Sequence, residues 1–549
     1  MIKVFQISSL ENIMPKYGQD FTPISEISIL KGERASYQIA YAMDNSTEYG
    51  YKYEFNLESD IKEHLKIYKV GYVPVVKAVH TQRAMKDDNY ISTEGGMYPD
   101  ILYPVDDNID DNIIKEEFYF QGIWIETDDK IPVGEHKIKI TISTDDESVS
   151  TTLKLEVLNL ELPPQELVYS LNVHGDCIAN YYNMEVFSEE FWTMLEKFIK
   201  ISAEYGSNML MVPVITPPLD TQVGGERMTV QLVDISKDGD KYTFDFSKFK
   251  RFIDICRNAG IKCFEMPQFF TQWGAEFAPK IMAFENGEYK RIFGWETEST
   301  DESYLNFLSQ FIPHLIKSIK ENGIENDVVF AVSDEPFGTE AVNRYAKLAE
   351  FLNPYLKGFK TIDPFMNYAH YEKSGVDIPI IYNDCIEEFE GKISEYNICY
   401  CCVQDYEVSN RFIAMPLYRN RCFGYQLYKY DVKGFFHWAL NFYNSRLSIR
   451  PINPFFETDA DGGFPGGDAF SVYPAENGPI PSMRIIVFNE ALQDLRVLKL
   501  LEKYIGRDET IKLIENITGE ITFKNCAKSV RTILDIREKV INKLKEFIK

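Results

Sequence analysis

The chain has 549 residues, 45% of them hydrophobic, 14% aromatic and 26% charged, a globular balance that excludes disordered, collagen-like and low-complexity classes. Its 84 acidic against 58 basic side chains leave a formal charge of -26, which would repel a duplex phosphate backbone or an anionic bilayer, so nucleic acid and a membrane surface are set aside as partners. No run of about 18 apolar residues occurs, and the first 20 residues lack both the apolar stretch and the small-residue cleavage site of a secretory signal.

Short strands are expected from residue 1 to about 165: KVFQIS, ASYQIAYAM, YKYEFNLE, IYKVGYVPVV, EEFYFQGIWIET, HKIKITIST and TTLKLEVLNLEL, many alternating apolar and polar side chains. That pattern predicts a β-sandwich over 1–165. An excursion from His80 to Asn112, rich in Asp, Gly and Tyr, is too long for a hairpin connection, so it is either mobile or reaches another domain, with Tyr98-Pro99-Asp100 as the segment that would shape a pocket rim. Pro163 and Pro164 mark the boundary.

The rhythm then changes to strand followed by helix. Strand-like runs VYSLNVHGD, NMLMVPVI, IKCFEMPQFF, DVVFAVSDE, FKTIDPFMN, IPIIYNDC, YNICYCCV and GFFHWALNF are mostly separated by amphipathic stretches such as FWTMLEKFIKISAEYG. Eight such units predict a (β/α)8 barrel over 166–490, with chemistry carried by loops at the strand ends. The spacing is short between the fifth, sixth and seventh strands, which predicts a missing or degenerate helix there. Periodic Leu and Ile then predict a final barrel helix from Ser482 and, over 491–549, C-terminal helices packed on the barrel rather than a dimerising coiled coil. The nine cysteines are an odd number, and Cys399, Cys401 and Cys402 crowd one apolar run with no His beside them. They predict reduced, buried strand thiols in a cytoplasmic protein rather than a metal site.

The tetrad Ser333-Asp334-Glu335-Pro336 ends the fourth apolar run, where barrel strands carry catalytic side chains and where two acids bear a desolvation cost. Neighbouring acids on a strand point to opposite faces, so Asp334 and Glu335 share a pocket only if the backbone turns, expected at Pro336; the structural alternative is that Asp334 caps the following helix. Aromatic residues gather at other strand ends: Tyr181 and Tyr182, Phe270 and Trp273, Tyr368, Trp438 and Tyr443. An aromatic plane beside fixed polar groups suits the C–H face and hydroxyls of a sugar. The polar candidates are His174 and Asp176, Gln268, Asn367, Gln404, His437 and Asn441. No nucleophile elbow, P-loop or dinucleotide fingerprint occurs.

Several stretches are familiar in combination: EGGMYPDILYPV, VSDEP, GFFHWALNFYN and GGDAFSVYPAENGPIPSMRIIVFNEALQDLRVLKLLEK, the last with its Gly-Asp, Tyr473-Pro474, Gly478-Pro479 and Ser482-x-Arg484. Over nearly the whole chain the sequence resembles glycoside hydrolase family 123, the exo-acting N-acetyl-β-galactosaminidases. The resemblance implies substrate-assisted retaining hydrolysis of a terminal β-linked N-acetylgalactosamine on glycans such as those of glycosphingolipids, with no metal or organic cofactor. It assigns Glu335 as the acid that protonates the leaving oxygen and Asp334 as the carboxylate on the acetamide N–H. Strand position ranks Trp438, Tyr443 and Trp273, then Gln404, Asn367, His174 and Tyr368, as substrate contacts, and leaves the axial 4-hydroxyl and the oligomeric state unassigned. Three alternatives stand beside this: a glucosamine-specific enzyme with the same acids, a non-catalytic glycan-binding protein, and a two-carboxylate glycosidase whose second acid is Asp363, Asp405 or Glu457.

Overall fold

The computed structural model describes residues 2–16, 19–43, 53–105, 110–111 and 120–548. The opening residues of the predicted strands YKYEFNLE and EEFYFQGIWIET, and part of the excursion beyond residue 105, lie outside the described residues.

Two five-stranded sheets build the N-terminal part. One has the strand order Ile2–Ser8, Ser36–Met43, Gln121–Thr127, Leu65–Val75, Gly96–Pro104; the other runs Glu26–Lys31, Ser148–Glu161, Gly134–Ser143, Tyr53–Ser59, Asp110–Asp111. Period-two alternation builds the core between them: Ile138, Ile140 and Ile142 are buried against Ile39, Ile123 and Ile125, while Lys137 and Lys139 point outward. The first sheet is covered on both faces. Trp124, Tyr68, Val70, Val73, Tyr98 and Leu102 join the apolar cluster that continues into the rest of the chain, which is why Gly122–Thr127 is buried along its whole length.

Eight parallel strands then close into a barrel: β1 (Val168–Leu171), β2 (Met209–Met211), β3 (Cys263–Met266), β4 (Val328–Ala331), β5 (Lys360–Phe365), β6 (Ile378–Tyr382), β7 (Asn397–Cys399) and β8 (Gly434–His437), with β8 paired to β1. Each lies within one of the eight predicted runs. Helices α1 (Gly175–Tyr182) and α2 (Glu189–Glu204), α3 (Ser247–Ala259), α4 (Glu302–Glu321) and α5 (Thr339–Leu352) follow the first four strands. The expected degeneracy follows: α6 (Tyr368–Ser374) has seven residues, and only a 3-10 turn at Ile386–Glu388 joins β6 to β7. A four-stranded sheet inserted after β2 and β3, within Asp234–Phe293, is not marked by any reading of the sequence.

After α7 (Leu417–Arg421), α8 (Phe423–Lys429) and β8, helix α9 (Met483–Ile505) is capped by Ser482, whose side chain accepts from Ile485 N–H. It is buried on every side from Met483 to Leu495 although it carries Arg484, Glu490 and Asp494. Burial of those charges is compensated by partners on several elements: Glu490 pairs with Arg421 at 2.8 Å, and Asp494 with Arg421 at 2.8 Å and Arg537 at 3.1 Å. Arg537 lies on α11 (Val530–Lys545), which follows α10 (Arg507–Thr518), and both helices pack against α9. Arg484 reaches instead into the excursion, donating to both carboxylate oxygens of Asp100 at 2.8 and 2.9 Å. Thus Asp100 docks the sheet on the barrel rather than shaping a rim.

The prediction that the thiols are all reduced is corrected. Cys422 and Cys526 form a disulfide linking the start of α8 to the segment before α11, and the other seven cysteines are free.

Replacing Asp100 by Ala leaves a buried guanidinium without its carboxylate and is expected to destabilise the protein by about 3–5 kcal/mol. Lys31→Ala, which breaks the exposed Lys31–Glu161 pair, should change stability by less than about 1 kcal/mol. Urea midpoints of both variants beside the parent measure the contrast, and equal midpoints would refute the clamp.

Candidate active site

A cavity of about 330 Å³ opens at the C-terminal ends of the barrel strands, at the low end of the volumes that hold small ligands. Asp334 and Glu335 both line it. Strand β4 ends at Ala331, and Glu335 itself adopts the left-handed backbone conformation, φ +47°. The turn that brings adjacent carboxyls to one side is therefore at Glu335 and not, as the sequence suggests, at Pro336. Such a conformation costs a residue with a Cβ about 1–3 kcal/mol and needs outside support. The loop after β3 supplies it: Trp273 N–H donates to Asp334 O at 2.7 Å, and Ser333 Oγ donates to Thr271 O at 2.7 Å. From β5, Asp363 accepts Ser333 N–H at 3.2 Å and the Tyr345 hydroxyl at 2.6 Å. Asp334 does not cap the next helix, whose N-cap is Gly338.

Burial raises the pKa of both acids; for Asp334 the nearby Asp220 adds to it, and for Glu335 the neighbouring Asp334 does, against a lowering hydrogen bond with Trp273. The Tyr382 hydroxyl, at the end of β6, donates to Glu335 Oε1. Glu265 on β3 is pushed up to about 8 by burial and by Asp334, and Asp220 to about 6 by burial. Among the described residues Arg446 is the only Lys or Arg in the lining. Among the described residues no group of three or more His, Cys, Asp or Glu is arranged to hold a metal ion. Cys399, Cys401 and Cys402 instead form part of the cavity wall.

Of the predicted contacts, Trp273 and Trp438 line the cavity with the acid pair, as do Gln268 and His437. The rest lie elsewhere. His174 is buried behind Trp438, with Nδ1 accepting from Arg227 at 3.0 Å and Nε2 therefore donating to Trp438 O at 3.0 Å; burial and then Arg227 push its pKa down to about 4. Tyr443 donates its hydroxyl to Val472 O at 2.9 Å. Gln404 braces the wall from behind, accepting Cys401 N–H at 3.0 Å and donating to Asp384 at 3.1 Å. Asn367 caps α6 by accepting His370 N–H, and Tyr368 packs on Phe389 with Lys392 over its ring. Asp405 accepts His80 N–H, Thr81 N–H and the Thr81 hydroxyl, and Glu457 pairs with Arg450; neither lines the cavity, whereas Asp363 does.

Sequence reasoning missed Asp220, Glu265, Tyr382, Asp468, His80 and Arg446. Glu265, an acid inside the apolar run IKCFEM, and Tyr382, at a strand end, carried a usable signal. His80 comes from the sheet domain's excursion, so that segment reaches the barrel and contributes to the cavity.

The catalytic-domain model of glycoside hydrolase 123 matches residues 173–501, more than half of the chain. The chain belongs to glycoside hydrolase family 123. A family 123 glycoside hydrolase from Clostridium perfringens, described for glycolipid glycan hydrolysis, superposes with a TM-score of 0.73 over 100% of this chain and 99% of its own at 17% identity, which shows a shared fold. Parabacteroides merdae β-glucuronidase (TM-score 0.31, 10% identity, 89% of this chain and 51% of that one) and the Thermotoga petrophila endo-β-1,4-mannanase (0.33, 11%, 60% and 77%) are far more distant. No curated protein matches in sequence. The protein is a glycoside hydrolase acting on glycans. Among the described residues no helix is long and apolar enough to cross a membrane.

The family 123 cavity gives two aromatic variants opposite expectations. Trp273→Ala removes a half-exposed indole from the wall and should lower kcat/KM on a cleaved glycoside by roughly 10-fold or more, from about 1.5–3 kcal/mol of lost apolar contact. Tyr368→Ala, outside the lining, should stay within about 2-fold. Equal losses would place the sugar elsewhere.

Proposed function

We propose that the enzyme is an exo-acting, retaining β-N-acetylgalactosaminidase that releases terminal β-linked N-acetylgalactosamine from glycans by substrate-assisted catalysis. The observation that carries the reading is the sharing of one cavity by the adjacent carboxyls of Asp334 and Glu335. Retaining hydrolysis by two protein carboxyls needs one on each side of the anomeric carbon, about 5 Å apart. Neighbours in sequence that face one cavity suit a different division of labour, in which the sugar's own acetamide oxygen attacks the anomeric carbon from the far side. Glu335 then donates its proton to the leaving oxygen, and later takes one from the water that opens the ring of the intermediate. Asp334 accepts the acetamide N–H and stabilises the positive charge that develops on the oxazolinium. The C. perfringens relative, described for glycolipid glycan hydrolysis, supports glycolipid glycans as the substrate source.

This division requires Glu335 protonated and Asp334 ionised. Activity therefore falls at low pH as Asp334 takes a proton and at high pH as Glu335 loses its own, the two limbs belonging to the pair. Because burial raises both, the bell should lie above the pH 4–5 region of ordinary carboxyls. A pH–rate profile peaking near neutrality is expected; an optimum below pH 4.5 would contradict the assignment.

Initial rates on aryl β-N-acetylgalactosaminide, β-N-acetylglucosaminide and plain β-galactoside test the substrate. Turnover of the galactosaminide alone is expected, and Glu335→Gln should lower it by about 10²–10⁴-fold. Cleavage of the plain galactoside would sink the acetamide-assisted mechanism in favour of a second carboxyl such as Asp363. Preference for the glucosaminide would change the sugar but keep the chemistry.

A further inference from the structure

Opposite the acid pair the cavity has a polar corner that the chemistry above does not use. In an eight-stranded closed barrel β4 and β8 stand four strands apart, on opposite sides. Asp334 and Glu335 follow β4, whereas His437 ends β8, Trp438 follows it, and the Trp438 indole N–H donates to Asp468 Oδ2 at 3.2 Å. Tyr400 completes the corner, its ring 5.6 Å from that of His437.

All of Tyr400, His437 and Asp468 line the cavity, with exposures of 1%, 2% and 0%. Each also has a buried polar atom without a protein partner among the described residues: the Tyr400 hydroxyl, His437 Nε2 and Asp468 Oδ1. Three such atoms in one corner are more than a folded interior ordinarily leaves unsatisfied. Their chemistry is complementary to a hydroxyl. His437 Nδ1 accepts Ala439 N–H at 3.2 Å, so Nε2 carries the proton and is a donor. Asp468, its pKa raised to about 7 by burial, offers Oδ1 as an acceptor when ionised and as a donor when protonated, and the Tyr400 hydroxyl can act as either. A sugar hydroxyl both donates and accepts. Burial followed by Arg411 drives the His437 pKa well down, which keeps the ring neutral and in this tautomer.

We propose that Asp468, with His437 and Tyr400 beside it, binds the 4-hydroxyl of the terminal sugar and is the specificity-determining residue at that position. This rests on the exo-acting hexosaminidase reading above. An exo-acting enzyme admits its substrate non-reducing end first, so the aglycone on C1 stays toward the opening. With C1 held at Glu335, the ring carbon directly across the pyranose is C4, and its hydroxyl is carried toward the wall opposite β4. The residue that contacts this hydroxyl is also one that can tell N-acetylgalactosamine from its 4-epimer.

The test is a cycle of two enzymes and two substrates. kcat/KM is measured for the parent and Asp468→Ala on an aryl β-N-acetylgalactosaminide and on its 4-deoxy analogue. The parent should lose at least about 100-fold on the 4-deoxy sugar, because the site's buried polar groups are left unpaired. Asp468→Ala should lose a comparable factor on the full sugar and then be nearly indifferent, within about 3-fold, to removal of the hydroxyl. Equal losses on the 4-deoxy sugar by both enzymes would overturn the assignment and leave the corner structural. Should Asp468→Ala not fold, the parent still decides: a loss below about 3-fold on the 4-deoxy sugar overturns the proposal, and a large loss that is reduced in Tyr400→Phe supports it. Failure of the parent to cleave the full galactosaminide overturns the substrate reading and the assignment with it, an outcome distinct from turnover without coupling.

Discussion

Arg484, in the first turn of α9, uses all five of its N–H donors. Two go to Asp100 of the sheet domain, two to the carbonyls of Gly467 and Phe470, and one to the carbonyl of Arg411. A planar guanidinium fork can hold a carboxylate and three carbonyls in fixed directions, whereas the three rotatable donors of a lysine cannot. The contact explains the spacing of the motif in which it lies. Gly467 has φ +87°, and a Cβ there would sit 2.8 Å from the Arg484 Cζ, so only glycine admits the arginine that holds its carbonyl. Asp468 follows at once, and its position at the cavity is set through that glycine. The sheet domain is bound into the catalytic face by the same segment, since Gly466 N–H donates to Lys77 O, three residues before His80 reaches the cavity.

The acid pair depends on a second exception to regular backbone. A strand continuing through Asp334 and Glu335 would send one carboxyl into the cavity and the other into the packing between strand and helix. The left-handed residue at Glu335 avoids this, and the loop that stabilises it contains Trp273, itself at φ +60°. One loop therefore fixes the acids and presents an indole to the cavity. Any shift in Trp273 moves the carbonyl of Asp334 with it, which couples the position of this wall to carboxyl orientation without a side-chain bond between them.

The eight barrel strands were legible because each is a short apolar run bounded by helix or turn residues, and no competing pattern has that count. Three sheet-domain strands were not recognised, among them the two-residue Asp110–Asp111, too short to carry a pattern. Gly96–Pro104 contains Pro99 and Pro104, which local rules demote, and it survives because it lies at the edge of its sheet. Glu26–Lys31 is short and gains its identity from parallel pairing with a strand about 128 residues away, information that no local window contains. At the site, the acids stood out as charge ending an apolar strand. The rest of the lining was legible only in part, because direction is a tertiary property: in FFHWALNFY nearly every side chain is apolar or aromatic, and of the candidates there His437 and Trp438 face the cavity while Tyr443 turns its hydroxyl to Val472. His174 and Gln404 are near strand ends, but their polar atoms are used on Trp438, Arg227, Cys401 and Asp384.

Among the described residues six carboxyl groups line the cavity, those of Asp220, Glu265, Asp334, Glu335, Asp363 and Asp468, against one arginine. At this separation and burial they cannot all be ionised, and the pKa of each is raised by burial as its largest cause. Protonated carboxyls are hydrogen-bond donors, so near neutrality the site offers donors and acceptors to hydroxyl and amide groups in a small volume. Arg446 in the wall, Arg227 beside Asp220 and Arg411 and Arg484 beside Asp468 offset part of this charge. A neutral ring that becomes cationic at its anomeric centre would be stabilised by the ionised carboxyls as charge develops. In the proposed reaction the positive charge arises beside Asp334, whose charge acts on Glu265, Glu335 and Asp363 and which Asp220 acts on in turn, so the electrostatic cost of assembling them in the free enzyme is relieved during the step that requires it.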